Sequence, residues 1–220
     1  MIILRKVFDE ELLEIHDLLL KIGSVAEKQI FLSVEALVKQ DSNMAEEVIK
    51  SDDIVDDLQK ELENKCVKLL AKQQPLATDL RKIFSTSKIA SDLERVADYA
   101  VDIARIAIRL KNETYIKELV DIPRIADIAK EMIKGSLDAY VEGSVENAYA
   151  VCKMDDEIDN LYRQVSNELL NVMRKDSTTI LQATQFLFIC KFLERIGDHI
   201  TNVCEYTIYL VTGEQVDLND

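Results

Sequence analysis

Shifting the sequence by 103 residues lays Ser33–Lys72 on Ser136–Lys175 without a gap, and twelve of the forty positions are identical. After a three-residue difference at the next turn, a shift of 100 lays LERVAD, Leu93 to Asp98, on LERIGD, Leu193 to Asp198. Self-similarity at a fixed period means that one supersecondary unit is used twice. The chain is therefore two tandem copies, 1–112 and 113–220, and any fold must satisfy both at once.

Each copy reads as three long helices. Apolar residues recur at three- and four-residue spacing between breakers at Asp41 to Asn43, Gln74-Pro75, Asp121 to Pro123, Gly143-Ser144 and Asp176-Ser177. The spacing predicts helices near 7–40, 44–72, 77–111, 121–142, 145–174 and 178–211. Five Gly and two Pro in 220 residues, with abundant Leu, Ile, Ala, Lys and Glu, favour helix over sheet. Long helices with short connections pack as antiparallel neighbours. The expected fold is all-α, two three-helix bundles side by side. A fused four-helix core with two flanking helices is the geometric alternative.

LERVAD places Glu94 and Asp98 one turn apart on one helix face, with Asp102 a turn further on. In an antiparallel hairpin, residues equidistant from the turn face each other, because rise per residue is the same in both helices. About Pro75, Asp56 falls opposite Glu94 and Asp52 opposite Asp98. About the Asp176-Ser177 turn, Asp159 falls opposite Glu194 and Asp155 opposite Asp198. Leu93, Val96, Ala100 and Ile103 define a different, apolar face. Like charges one turn apart cost about 0.2–0.5 kcal/mol per pair, a cost that a bound cation removes.

These acids are the expected metal ligands: Asp52, Asp56, Glu94, Asp98 and Asp102 in the first copy, and Asp155, Asp159, Glu194, Asp198 and Asn202 in the second. Carboxylates without thiolate suit magnesium, calcium, manganese or iron. Arg95 and Arg195 stand beside the ladders as competing salt-bridge partners. A lone acidic pair on a charged helix is ordinarily a solvated face, and it is the duplication at equivalent levels that favours a site.

Other chemistries find little support. The two histidines, His16 and His199, offer no nucleophile–base pair, His16 reading as surface and His199 standing next to Asp198, with contact to the acidic groove the lesser alternative. A di-iron carboxylate bundle needs Glu-x-x-His, but Leu13 and Ile196 stand three residues before the histidines. No Gly-rich phosphate loop is present. Four cysteines, Cys66, Cys152, Cys190 and Cys204, lack C-x-x-C spacing and read as reduced core thiols. A net charge of −14 disfavours nucleic acid and anionic membrane. No apolar run reaches the ~20 residues of a membrane span, and the start lacks signal-peptide order, so a cytoplasmic protein is expected.

The run QQPLATDLRKIFSTSKIASDLERVAD, Gln73 to Asp98, and FLERIGDHITNVCE, Phe192 to Glu205, resemble the two signature regions of the PhoU family of phosphate-transport regulatory proteins. Phe8 to Leu12 is similar to that family's early Phe-x-x-Glu-Leu helix. The resemblance covers essentially the whole chain. It implies two three-helix bundles with Glu/Asp-x-x-x-Asp pairs binding multinuclear metal clusters, here at Asp52 and Asp56, Glu94 and Asp98, Asp155 and Asp159, and Glu194 and Asp198. Iron is the metal it implies, with zinc, manganese, magnesium or calcium as alternatives. It further implies a cytoplasmic, often dimeric negative regulator. Such a protein restrains the phosphate ABC transporter through its ATPase subunit, signals to a sensor histidine kinase, and meets the membrane only through partners. Val96-Ala97 against Ile196-Gly197, and Asp102 against Asn202, are the departures between copies. A metal-dependent hydrolase or oxidase using the same carboxylates is the competing reading.

Overall fold

The computed structural model describes residues 2–72 and 75–219. Among them every regular element is helical: α1 (Ile2–Lys39), α2 (Ser42–Lys50), α3 (Asp52–Lys72), α4 (Ala77–Leu110), α5 (Asp121–Glu142), α6 (Val145–Lys175) and α7 (Ile180–Thr212), with one 3-10 turn at Ser177–Thr179. The expected breakers fall at helix boundaries, Asp121 to Pro123 opening α5 rather than closing α4, which ends at Leu110; Gln74 lies outside the described residues. α1 stops where Gln40 takes φ 54°, a left-handed conformation rare for a residue with a side chain. Gln40 Nε2 then donates to the carbonyls of Leu110 (3.1 Å) and Glu113 (2.7 Å), so one residue ends α1 and satisfies the C-terminus of α4. Asp41 caps α2 by accepting from the Asn43 and Met44 amides. Gly143, at φ 63°, closes α5, and Ser144 caps α6.

The second expected helix is broken. At Ser51 the chain leaves α2 and restarts as α3, the Ser51 amide being shared between the Glu47 and Val48 carbonyls. The hydroxyl donates to the Val48 carbonyl (2.7 Å) and accepts from Gln29 Nε2 of α1 (2.8 Å). A side chain competing for backbone acceptors in mid-helix is a recognised cause of such breaks. The second copy has Met154 at this position and α6 runs through unbroken.

α1, α2–α3 and α4 form one three-helix bundle and α5, α6 and α7 the other, side by side as expected. They meet through α4 against α7 and α1 against α5, so the four central helices close a shared core flanked by α2–α3 and α6. Along the seam Phe84 meets Tyr206, Asp92 meets His199, and Tyr99 stacks on Phe192 at 5.6 Å, so α4 and α7 run antiparallel. Equivalent helices packed antiparallel relate the two copies by an approximate two-fold axis. The axis falls midway between these pairs, beside Val96 and Ile196, both fully buried. LERVAD and LERIGD are thus at the middle of the molecule. α4 and α7 carry core residues almost all round because each touches helices on several sides; Leu93, Val96, Ala100 and Ile103 are all fully buried, as expected.

Among the described residues no helix is long and apolar enough to cross a membrane. His16 is half-buried rather than a surface residue, its ring stacked on Tyr140 of α5 at 5.3 Å.

Candidate functional site

The ten acids and amides singled out from the sequence are all half-buried. Residue by residue, Ser91 to Ala100 and Lys191 to Ile200 have the same sequence of buried, half-buried and exposed positions, so the copies present their ladders alike. α3 delivers Asp52 and Asp56 from its first turns, and α4 delivers Glu94 and Asp98. α6 and α7 do the same with Asp155, Asp159, Glu194 and Asp198.

Electrostatics show that each set converges across its groove. Burial raises the Asp52 carboxyl, followed by the charges of Asp98 and Asp56. Glu94 is likewise raised by burial and then by Asp98, with Asp56 and Asp52 adding to it and Arg95 opposing. In the second set burial and the charges of Asp198, Asp159 and Glu194 push Asp155 up to about 7. Asp198 is raised by burial and by Glu194, against Arg195 and Lys191. The pairs placed opposite by their distance from the turn, Asp52 with Asp98 and Asp155 with Asp198, are the strongest cross-groove repulsions acting on the two aspartates.

Basic side chains balance the ladders. Arg95 holds Asp98 (2.9 Å), Arg195 holds Asp198 (3.1 Å), Lys191 holds Glu194 (2.6 Å), and Lys60 holds Asp56 (3.2 Å). As the side chains lie, no group of three or more acid, histidine or cysteine residues among those described is poised around a metal position. The two ladder extensions are engaged elsewhere. Asp102 pairs with Arg105 at 2.8 Å. Asn202 turns to the seam, donating to Asp92 (3.0 Å) and accepting from Asn219 (2.7 Å).

Whether the remaining eight carboxylates fit a cation is tested by buried oxygens that accept no hydrogen bond. Asp155 Oδ1 and Glu194 Oε2 are both buried and accept no hydrogen bond. A buried carboxylate oxygen with no donor is costly, and a hard cation supplies what is missing. Gly197 makes the close approach possible: a Cβ there would collide with Asp155 Oδ1. At the first site Ala97 carries the methyl that Gly197 lacks. The donor set and its orphaned oxygens fit a hard metal, most clearly in the second copy.

The residues missed from sequence are the seam partners. His199 Nδ1 lies 2.8 Å from Asp92 Oδ1 on the other copy, and Tyr99 flanks the same ring at 5.8 Å. His199 therefore joins the bundles and stays out of its own acidic groove. Only Gly197 carried a signal, since glycine inside a helix costs about 1 kcal/mol against alanine and usually marks close packing.

A family model described as PhoU domain matches residues 19–107 and 122–207, one match on each copy. The chain belongs to the PhoU family. Its PhoU relatives include a Clostridium acetobutylicum protein named phosphate-specific transport system accessory protein PhoU homolog, 58% identical over 98% of this chain and 99% of that one. A Rhizobium meliloti protein of the same name is 38% identical over 94% of this chain and 88% of its own. The PhoU crystal structure from Pseudomonas aeruginosa superposes with a TM-score of 0.91 at 36% identity, covering 94% of this chain and all of that one. A Streptococcus pneumoniae phosphate transport system regulatory protein PhoU gives 0.89 at 32% identity, covering 96% and 99%.

Proposed function

We propose that this protein is a non-enzymatic, metal-loaded regulator of phosphate uptake, holding cations on the two carboxylate grooves. It restrains a phosphate ABC transporter through the ATPase subunit and passes phosphate status to a sensor histidine kinase. Relatives named as accessory proteins of phosphate-specific transport support the biological setting. One observation carries the metal: Asp155 Oδ1 and Glu194 Oε2, buried acceptors without donors in a cluster of mutually repelling acids. Asp52, Asp56, Glu94 and Asp98 hold the first cation group, and Asp155, Asp159, Glu194 and Asp198 the second. A bound metal supplies positive charge that lets two like-charged helix faces stay close, and iron, zinc, manganese, magnesium or calcium are the candidate ions. Arg95, Arg195 and Lys191 swing aside on loading; the exposed Arg95–Asp98 pair is worth at most about 1 kcal/mol.

The adaptor role follows from what surrounds the grooves. With a net charge of −14 the surface repels free phosphate, and both histidines are committed to ring packing or a hydrogen bond with Asp92 rather than to a nucleophile. A cytoplasmic location fits a partner that meets the membrane only through the transporter and the kinase. Dimerisation fits the groove of about 220 Å³ between α1 and α5, where Phe31 and Val38 lie exposed beside Pro123 and Ala126.

The decisive assay is a pull-down of the transporter ATPase subunit by metal-loaded protein, run beside phosphatase and oxidase assays of the same sample. Retention of the ATPase subunit without turnover is expected. Turnover without retention would replace the adaptor by the hydrolase or oxidase reading.

A further inference from the structure

The approximate two-fold axis gives the four central helices two ends of similar construction, and the ends are finished differently. At one end the α4–α5 connection plugs the space between helix termini. Tyr115 donates its hydroxyl to the Leu37 carbonyl (2.6 Å) and sets its ring edge-on to Phe186 at 5.4 Å. Buried Gln182 holds the backbone on either side of Tyr115, and the Gln40 side chain covers the last turn of α4. At the other end the shifts of 103 and 100 residues place Tyr140 for Leu37, Gly143 for Gln40, Lys82 for Gln182, Thr86 for Phe186 and Leu210 for Leu110. All five of these replacements line a cavity of about 430 Å³. Leu110 and Gln182 are buried, whereas Leu210 is half-buried and Lys82 exposed. Gly143 shares the left-handed backbone of Gln40 and lacks its side chain. The segment after α7 goes elsewhere: it turns back along that helix, the Leu218 amide meeting Glu205 (2.7 Å) and Asn219 meeting Asn202 (2.7 Å). One joint is therefore filled by the chain itself and its counterpart stands open.

We propose that the open joint is a docking slot for an extended segment of a partner protein that carries a tyrosine with an acidic residue two positions before it. The filled joint defines this occupant, since its plug reads Glu113-Thr114-Tyr115. There Gln182 donates to the Glu113 carboxylate (2.8 Å) and to the Thr114 carbonyl (3.1 Å). Lys82, in the place of Gln182, has donors and no acceptor, so it keeps the contact with an acid and gives it charge. The tyrosine hydroxyl finds the Tyr140 carbonyl, which receives the Gly143 amide at 3.4 Å and stands where the Leu37 carbonyl takes Tyr115. Apolar contact for the ring comes from Leu12 and Leu210, with Leu13 and Val141 exposed at the rim. A buried aromatic anchor with few directed polar contacts is the usual way such a segment is held. A second copy's α4–α5 connection is not the occupant, because each copy uses that connection to plug its own joint.

The test uses a synthetic peptide with the sequence of residues 112–120, NETYIKELV, titrated into the full-length protein with methyl groups followed by NMR. Shifts should gather on Leu12, Leu13, Val141 and Leu210. A peptide carrying Tyr115→Ala should bind about tenfold more weakly or worse. Gly143→Gln in the protein restores the side chain that closes the other joint, and Gln40 shows that glutamine is accepted on this backbone. That variant, with folding confirmed by circular dichroism, should lose about tenfold or more in affinity. Lys82→Ala, an exposed change that leaves the core intact, should bind the parent peptide and one carrying Glu113→Gln equally well, whereas the unaltered protein should prefer the parent peptide. No shifts at millimolar peptide, shifts at Leu37 in place of Leu210, or undiminished binding of the Tyr115→Ala peptide would overturn the slot.

Discussion

Asp155 shows how a single carboxylate couples packing to chemistry. Its carboxyl titrates at about 7 in the folded chain because burial and then Asp198, Asp159 and Glu194 oppose its charge, against about 3.9 for a free aspartate. A raised folded value means the folded state prefers the protonated form. The stabilisation is present in full below about pH 4 and is lost as pH climbs through about 7. Metal-free Asp155→Asn should therefore be more stable than the parent at pH 8 by about 2 kcal/mol, a figure discounted for solvent screening, and equal to it near pH 4. Urea denaturation at the two pH values measures both; equal stability at pH 8 would count against the repulsion. The same proton competes with a cation, so uptake at this groove should tighten as pH rises through about 7. Gly197→Ala would drive the carboxylate away from its buried position. NMR titration should then find Asp155 returned towards the ordinary range, even though the helix gains about 1 kcal/mol of intrinsic propensity.

At the scale of elements, helix order and most boundaries are readable because each end has a local chemical cause: Asp41, Gly143, Ser144 and Asp176 are cap or turn residues by type. The break at Ser51 is not readable. Ser in a helix is ordinary, and the break depends on Gln29, 22 residues away on α1. Replacing both Gln29 and Ser51 by Ala should cost about 1–2 kcal/mol, the scale of lost hydrogen bonds at a partly buried site. The α4–α5 connection is held by another distant side chain. Buried Gln182 accepts from the Ile116 amide (2.6 Å) and donates to Glu113 (2.8 Å) and the Thr114 carbonyl (3.1 Å). Gln182→Ala strands these groups, and thermal or urea unfolding should register a loss of about 2–3 kcal/mol.

At the scale of the molecule, it is the duplication that makes the grooves legible in the amino-acid sequence. One acidic ladder means little, but two at equivalent levels, each facing its own aspartates, constrain both the hairpins and the grooves. Helix spacing does not reveal that the copies pack about a two-fold axis through Val96 and Ile196, since antiparallel contact of α4 with α7 depends on pairs such as Tyr99 with Phe192, far apart in the chain. For the same reason spacing does not reveal that His199 and Asn202 both reach Asp92 across the seam. Because each groove is built within one copy, each should load independently.

Metal stoichiometry therefore tests the central claim most directly. Protein stripped with chelator and reloaded with ferrous, manganous or zinc ion is measured by elemental analysis as parent, Glu94→Ala with Asp98→Ala, Glu194→Ala with Asp198→Ala, and all four together. The parent should take up metal, each double variant should lose the share of one groove, and the quadruple variant should take up none. A parent that binds no metal, or a quadruple variant that binds as much as the parent, would contradict the carboxylate grooves as cation sites.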